Sequence, residues 1–220
     1  MADIPLILEL KKARHKNIAL AQDLIIEELF KIFDDAILHG GTSIWRCYKG
    51  NRFSEDVDVY IPREINKLNF LFNKLMKRGF KVTKKKISKN SLYSELELNR
   101  TKIRFEAIFK SVRGELIDYL TADGNVITIY SLSAEQIINE KVDAYLKRLK
   151  IRDFYDVFFL IKHVKKEKEI MGGLNKLVKN YKRPIDEKEL KVLIIKGLVP
   201  QTGDMLMYIK DFLKWEKKNI

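Results

Sequence analysis

Two aspartates, two residues apart in a strand-like segment, constrain this chain more than any other feature. In Ser-Glu-Asp-Val-Asp-Val-Tyr-Ile (residues 54–61) polar and apolar residues alternate, the period of a strand with one buried face. Residues two apart on a strand point to the same side, so Asp56 and Asp58 project together. Adjacent carboxylates repel unless a positive charge lies between them, and a pair of Mg²⁺ ions answers that need with hard cations that prefer carboxylate oxygens. Upstream, Gly40 and Gly41 let the backbone turn sharply and approach a ligand closely. Thr42 and Ser43 add hydroxyls at an expected helix start, an arrangement that binds phosphate. Arg52 and Ser54 complete the stretch of residues 40–58. A phosphate cradle followed by a two-carboxylate metal site implies nucleotidyl or phosphoryl transfer.

Composition narrows the partners. The chain has 220 residues, enough for one large domain or two small ones with a real core. Apolar residues at 46% and charged residues at 33% exclude a disordered chain. No apolar run approaches a membrane span, and the first five residues lack the basic-then-apolar order of a leader peptide. The single cysteine, Cys47, excludes an internal disulfide, leaves no structural zinc site and suits a reducing cytoplasm. A net charge of +13 points to nucleic acid, an anionic membrane or an acidic protein, and the phosphate-and-metal argument favours nucleic acid.

Along the chain, residues 3–38 show helical spacing, read as two helices with a break near Lys16 and Asn17, leading to a short strand at 36–38. Residues 64–78 form an amphipathic helix ended by Gly79. Strands are expected at 80–87, 92–98, 102–109 and 126–130. From Ser133, whose spacing to Gln136 marks a capping box, the pattern is helical only: through 164, then 166–180, 186–197 and 203–217. Helix–strand alternation followed by hairpins means a mixed sheet with helices against it.

A two-metal site needs a third carboxylate. The strand at 102–109 offers Glu106 among apolar residues, where an unpaired carboxylate is costly; a metal or Arg104 could be its partner. Glu95 and Glu97 are rivals on the preceding strand. Further on, if one helix runs through residues 140–156, Lys141, Arg148, Arg152 and Asp156 share a narrow stripe. Val142, Leu146, Leu149, Val157 and Leu160 then face the core. Such a stripe is ordinarily a solvated face, but here an acid in the same row can orient the arginines. Neither a G-x-G-x-x-G dinucleotide fingerprint nor a P-loop is present.

Gly-Gly-Thr, then Arg52-x-Ser54-x-Asp56-x-Asp58, then K-x2-A-x3-R-x3-R-D-x2-D from Lys141 to Asp156 resemble the AbiEii/AbiGii-type nucleotidyltransferases, a branch of the polymerase-β-like superfamily. Many members are toxins of toxin–antitoxin or phage-defence pairs. The likeness covers residues 36–162. It implies an α+β fold: a mixed-sheet polymerase-β-like nucleotidyltransferase core with N-terminal helices over residues 1–131, then a helical domain over 132–220. It further implies Mg²⁺-dependent movement of NMP from an NTP to an RNA end, such as that of a tRNA, or to a protein hydroxyl. By the same likeness Asp56, Asp58 and Glu106 hold two Mg²⁺ ions, while Gly40, Gly41, Thr42, Ser43, Arg52 and Ser54 meet the nucleotide. Lys141 holds the triphosphate, Asp153 or Asp156 orients a basic group or acts near the nucleophile, and Arg148 and Arg152 contact RNA or orient it. A partner antitoxin is implied as well. The rival readings are a non-catalytic basic RNA- or partner-binding module on the same fold, and a two-metal phosphohydrolase.

Overall fold

The computed structural model describes residues 5–219, and side chains through residue 215. Residues 1–4, on which the leader-peptide expectation falls, lie outside the described residues, as does the start of the helical segment expected from residue 3. The chain divides into two compact units: residues up to 49 with 53–132, and residues 50–52 with 133 onward.

The first unit is built on one mixed sheet. A single helical turn, α1 (Leu6–Glu9), precedes the long α2 (Ala13–Ile32). Then follow β1 (Ile37–His39), α3 (Gly40–Cys47), β2 (Val57–Ile61) and α4 (Ile65–Lys77). β3 (Lys81–Ile87), β4 (Ser91–Leu98), β5 (Thr101–Phe109), β6 (Glu115–Leu120) and β7 (Val126–Ser131) complete it. Strand order is β3-β4-β5-β2-β1-β7-β6, with β2–β5 and β1–β7 parallel and the other pairs antiparallel.

Alternation decides which face is buried. Ile103, Phe105 and Ala107 of β5 and Leu92 and Leu96 of β4 are buried, as are Val57, Val59 and Ile61 of β2. α2 packs on α4 and β5, adding Ile18, Ile25, Leu29, Leu68, Leu71 and Phe72 to the same core. The intervening residues of β4 and β5 point to the open face, which is where the polar chemistry lies. β4 and β5 are joined by Asn99 and Arg100, both left-handed at φ 49° and 60°, the two-residue hairpin geometry that matches strand twist.

Two expectations change here. The break near Lys16 and Asn17 is absent: α2 is continuous, and Asn17 reaches off the helix to the Thr101 hydroxyl at 3.2 Å, which satisfies the amide that suggested a stop. The chain instead straightens at Leu10 and Lys12. β6 was not foreseen, because it is an edge strand with one fully buried side chain, Tyr119, and an exposed Leu116, so alternation fails as a signal.

The second unit is helical: α5 (Ala134–Arg148), α6 (Ile151–Leu160), a 3₁₀ turn (Ile161–His163), α7 (Lys168–Lys179), a 3₁₀ turn (Glu187–Glu189), α8 (Leu190–Leu193) and α9 (Thr202–Asn219). Ser133 and Gln136 form the expected capping box. The helix does not run through residues 140–156, however. Leu149 is left-handed at φ 52°, Lys150 is extended, and the Asp186 carboxylate caps the Ile151 N–H at 2.7 Å, starting α6 on a new axis. The helix expected at 186–197 shrinks to two short turns. Ile195 N–H donates to the Asn51 carbonyl at 2.8 Å and Ile194 bridges Arg52, which draws the chain into extended form. No helix among the described residues is long and apolar enough to cross a membrane.

Candidate active site

At the end of β1 the chain turns through Gly40, at φ 72°, into α3. A Cβ at Gly40 would lie 2.6 Å from Asp58 Oδ2, so a side chain there would be strained and would push the Asp58 carboxylate aside. The N-terminal N–H groups of α3 thus begin beside the Asp58 carboxylate, and a helix N-terminus favours anions.

Thr42 and Ser43 behave differently from the expectation that their hydroxyls meet a nucleotide. Both are buried. The Thr42 hydroxyl donates to the Asp56 carbonyl and accepts from Gln22 Nε2 at 3.2 Å, while Gln22 also donates to the Ser54 carbonyl at 2.9 Å. Ser43 Oγ is 2.7 Å from Ser131 Oγ, which donates to the Leu38 carbonyl. These hydroxyls are spent inside the unit because buried polar groups need partners. Thr42 fastens the segment carrying Asp56 to α3 and Ser43 ties α3 to β7, while Ser54 is likewise buried in the Asp56 segment.

β1, β2 and β5 set the acids. His39 is opposite Asp58 across the antiparallel pair, and Asp58 is opposite Glu106 across the parallel pair. Asp56, just before β2, lies two residues from Asp58 and so on its side of the sheet. Burial first, and then the charge of Asp58, raise the Glu106 pKa; Arg104 opposes this and Asp56 adds to it. The part of that rise due to Asp58 and Asp56 reflects the negative charge gathered there.

Arg104, on the same face of β5, supplies a positive charge. Its Nε donates to Asp56 Oδ1 at 2.8 Å and its Nη2 to Asp56 Oδ2 at 2.5 Å, with Nη1 3.8 Å from Glu106 Oε1. Among the described residues, no three acidic, imidazole or thiol side chains converge on one ion-sized point as they stand. The donors themselves are oxygens on neighbouring strands with excess negative charge, the set a hard divalent cation takes, and Arg104 is nearly half exposed and therefore displaceable. Glu95, one of the rivals, is engaged by Lys102 at 2.9 Å and by Thr83 at 2.9 Å.

In the second unit the expected stripe becomes a chain of ion pairs. Arg52 forks onto Asp156 with two bonds of 2.8 Å, and Lys141 Nζ meets Asp156 at 2.7 Å and Asp153 at 3.4 Å. Arg148 forks onto Asp153 at 2.6 and 2.8 Å. Asp153 and Asp156 are fully buried and Lys141 nearly so. Burial pushes the Asp156 pKa up, but the charges of Arg52 and Lys141 outweigh it and hold the carboxyl below its ordinary value. The two aspartates are thereby distinguished by partner: Asp153 orients Arg148 and Asp156 orients Arg52, with Lys141 between them. Arg152, half-buried, is separated from Lys141 and Arg148 by the break at Leu149.

The profile of the family described as nucleotidyl transferase AbiEii toxin, type IV toxin–antitoxin system, matches residues 23–213. The chain belongs to the AbiEii family. It is therefore a nucleotidyltransferase of the toxin class, on an α+β core with helices following. Among solved structures, a putative nucleotidyltransferase from Helicobacter pylori is 21% identical, covers 95% of this chain and 99% of its own, and superposes with a TM-score of 0.67. The nucleotidyltransferase toxin MenT4 from Mycobacterium tuberculosis is 17% identical over 96% of this chain and 87% of its own, at 0.66. JHP933 from H. pylori is 18% identical over 94% of each, at 0.65. These likenesses show the shared fold. Against curated proteins there is no significant match.

One residue beside the candidate site was missed by the sequence reading and another has a wider role than expected. Gln22 is a fully buried amide on the apolar side of α2, among Ile18, Ile25 and Ile26; a lone polar residue in that stripe was the available signal. Arg104, offered by the sequence as an alternative to a metal beside Glu106, does lie 3.8 Å from it but also forks onto Asp56, since the adjoining parallel strand brings Asp56 beside it.

Proposed function

We propose that this AbiEii-family enzyme moves NMP from an NTP to the end of an RNA, such as a tRNA, rather than to a protein hydroxyl, using two Mg²⁺ ions held by Asp56, Asp58 and Glu106. The observation that carries the reading is the Asp58–Glu106 pair on adjoining strands beside the Gly40 turn. When bound, the metal pair would supply Lewis acidity and favour the ionised attacking hydroxyl. Backbone N–H groups at the start of α3, where Gly40 and Gly41 stand, would cradle phosphate. Lys141 has three N–H donors, of which two meet aspartates, and is the second unit's candidate for the triphosphate. Arg52, already fixed by Asp156, supports it in that unit. A terminal RNA hydroxyl oxygen bonds to the α-phosphorus, the bridging P–O bond breaks, and its electron pair leaves with pyrophosphate. The hydroxyl proton passes to a carboxylate or water. The net charge of +13 supports a polyanionic acceptor, and the type IV toxin family supports a cognate antitoxin.

Separate titrations of RNA and NTP from low to high salt, with transfer assayed on purified tRNA, test the acceptor. RNA affinity should fall steeply with salt through counterion release, and NTP affinity much less. Absence of RNA binding at low salt, with label on protein alone, replaces RNA by a protein hydroxyl.

A further inference from the structure

The open face of the first unit's sheet continues past the acids. Strand registers place Asp58 opposite Glu106, Glu106 opposite Tyr93 and Tyr93 opposite Lys86, so one row crosses β2, β5, β4 and β3. Residues directly opposite one another in a sheet share a face. At a strand spacing of about 4.8 Å, Tyr93 sits roughly 5 Å and Lys86 roughly 10 Å along the row from Glu106. That is the scale of one nucleotide's base and phosphate.

The neighbouring row is different in kind. Glu95, opposite Arg104 and Lys84, is paired with Lys102 at 2.9 Å and lies 3.9 Å from Lys84, so its charges compensate one another. Lys86 is exposed, and no carboxylate pairs with it among the described residues. Lys85, on the opposite face, is turned onto Asn69 and the Phe72 ring instead. The lysine run of β3 thus splits: one member is used against α4, one is neutralised, and Lys86 faces outward in line with an aromatic ring and the catalytic acids.

We propose that this row is the acceptor track: Tyr93 stacks the terminal base of a single-stranded RNA end, and Lys86 holds the adjacent phosphate. The hydroxyl then lies toward Glu106. An aromatic platform beside a cation is how single strands are held without reading sequence. This rests on the RNA-acceptor reading above, and its occupant is the RNA end because the Lys86 charge complements a phosphate, the Tyr93 ring a base, and the row runs on to Glu106, where the hydroxyl must react.

The test uses the full chain and a fluorescent single-stranded oligoribonucleotide, without NTP, in a salt series. Lys86→Gln should weaken binding and flatten the log–log salt slope by about 0.7, the share of one phosphate contact on a single strand. Tyr93→Ala should weaken binding on the order of tenfold, while Tyr93→Phe restores it. Nucleotide affinity should be unchanged in all three. Lys86→Gln alters a fully surface group, so it reports even if Tyr93→Ala melts early. Wild-type binding that neither substitution changes removes the track and leaves the RNA acceptor standing. No binding by wild type at low salt removes both.

Discussion

Arg104 grips Asp56 through two hydrogen bonds while Glu106, two residues along the same strand, stands opposite Asp58. One guanidinium therefore offsets part of the charge of two acids, Asp56 and Glu106. Arg104 is nearly half exposed, and an ion pair open to water on one side contributes about 0–1 kcal/mol, so a divalent cation can displace it at little cost. Arg104→Gln should bind Mn²⁺ several-fold more tightly than wild type in an electron-paramagnetic-resonance titration, with a small change in melting. Weaker Mn²⁺ binding would mean that Arg104 helps the metal site rather than competing with it.

Asp56 and Asp58 should part company in stability, although loss of either should abolish transfer. Asp58→Asn relieves the repulsion that helps raise the Glu106 pKa, so the metal-free protein should melt higher by a few degrees, on the order of 1 kcal/mol. Asp56→Asn takes away the partner of Arg104 and should give no such gain. Thermal melts in chelator separate the two. Equal gains would show that Arg104 is not a counter-ion of consequence.

Gly40→Ala should abolish transfer at a modest cost in stability. A side chain at φ 72° is strained by about 1 kcal/mol or more, and its Cβ would drive Asp58 out of place. A folded variant by circular dichroism that retains full transfer would contradict the close approach.

Asp156 should make its contribution at neutral pH and lose it in acid. Its folded pKa is below the ordinary carboxylate value, so its stabilisation is present above that ordinary value and lost as pH falls through the folded one. Removing one partner of a buried pair costs about 3–5 kcal/mol, so Asp156→Asn should show a deficit of that order at pH 7 in urea. The deficit should narrow below about pH 4. A deficit independent of pH would point to packing rather than charge.

Much of this was legible in the sequence because its signals are local. The period of two around Asp56 and Asp58, the hairpin at Asn99 and Arg100, and the Ser133 capping box each depend on neighbours in the chain. What was not legible depends on distant partners. The Thr42 hydroxyl turned inward because Gln22, from α2, met it, and the helix across residues 140–156 broke where Asp186 capped a new start. Arg104 reaches Asp56 as well as Glu106 because of a parallel register that no local pattern encodes.

The most direct test of the central claim, that Asp56, Asp58 and Glu106 form a two-metal transfer site, is label transfer from each α-³²P-labelled NTP to total RNA and protein with Mg²⁺ or chelator. Wild type should release pyrophosphate and label a macromolecule only with Mg²⁺, and Asp58→Asn and Glu106→Gln should fall to background while remaining folded. Undiminished labelling in either variant, or labelling that persists in chelator, would contradict it.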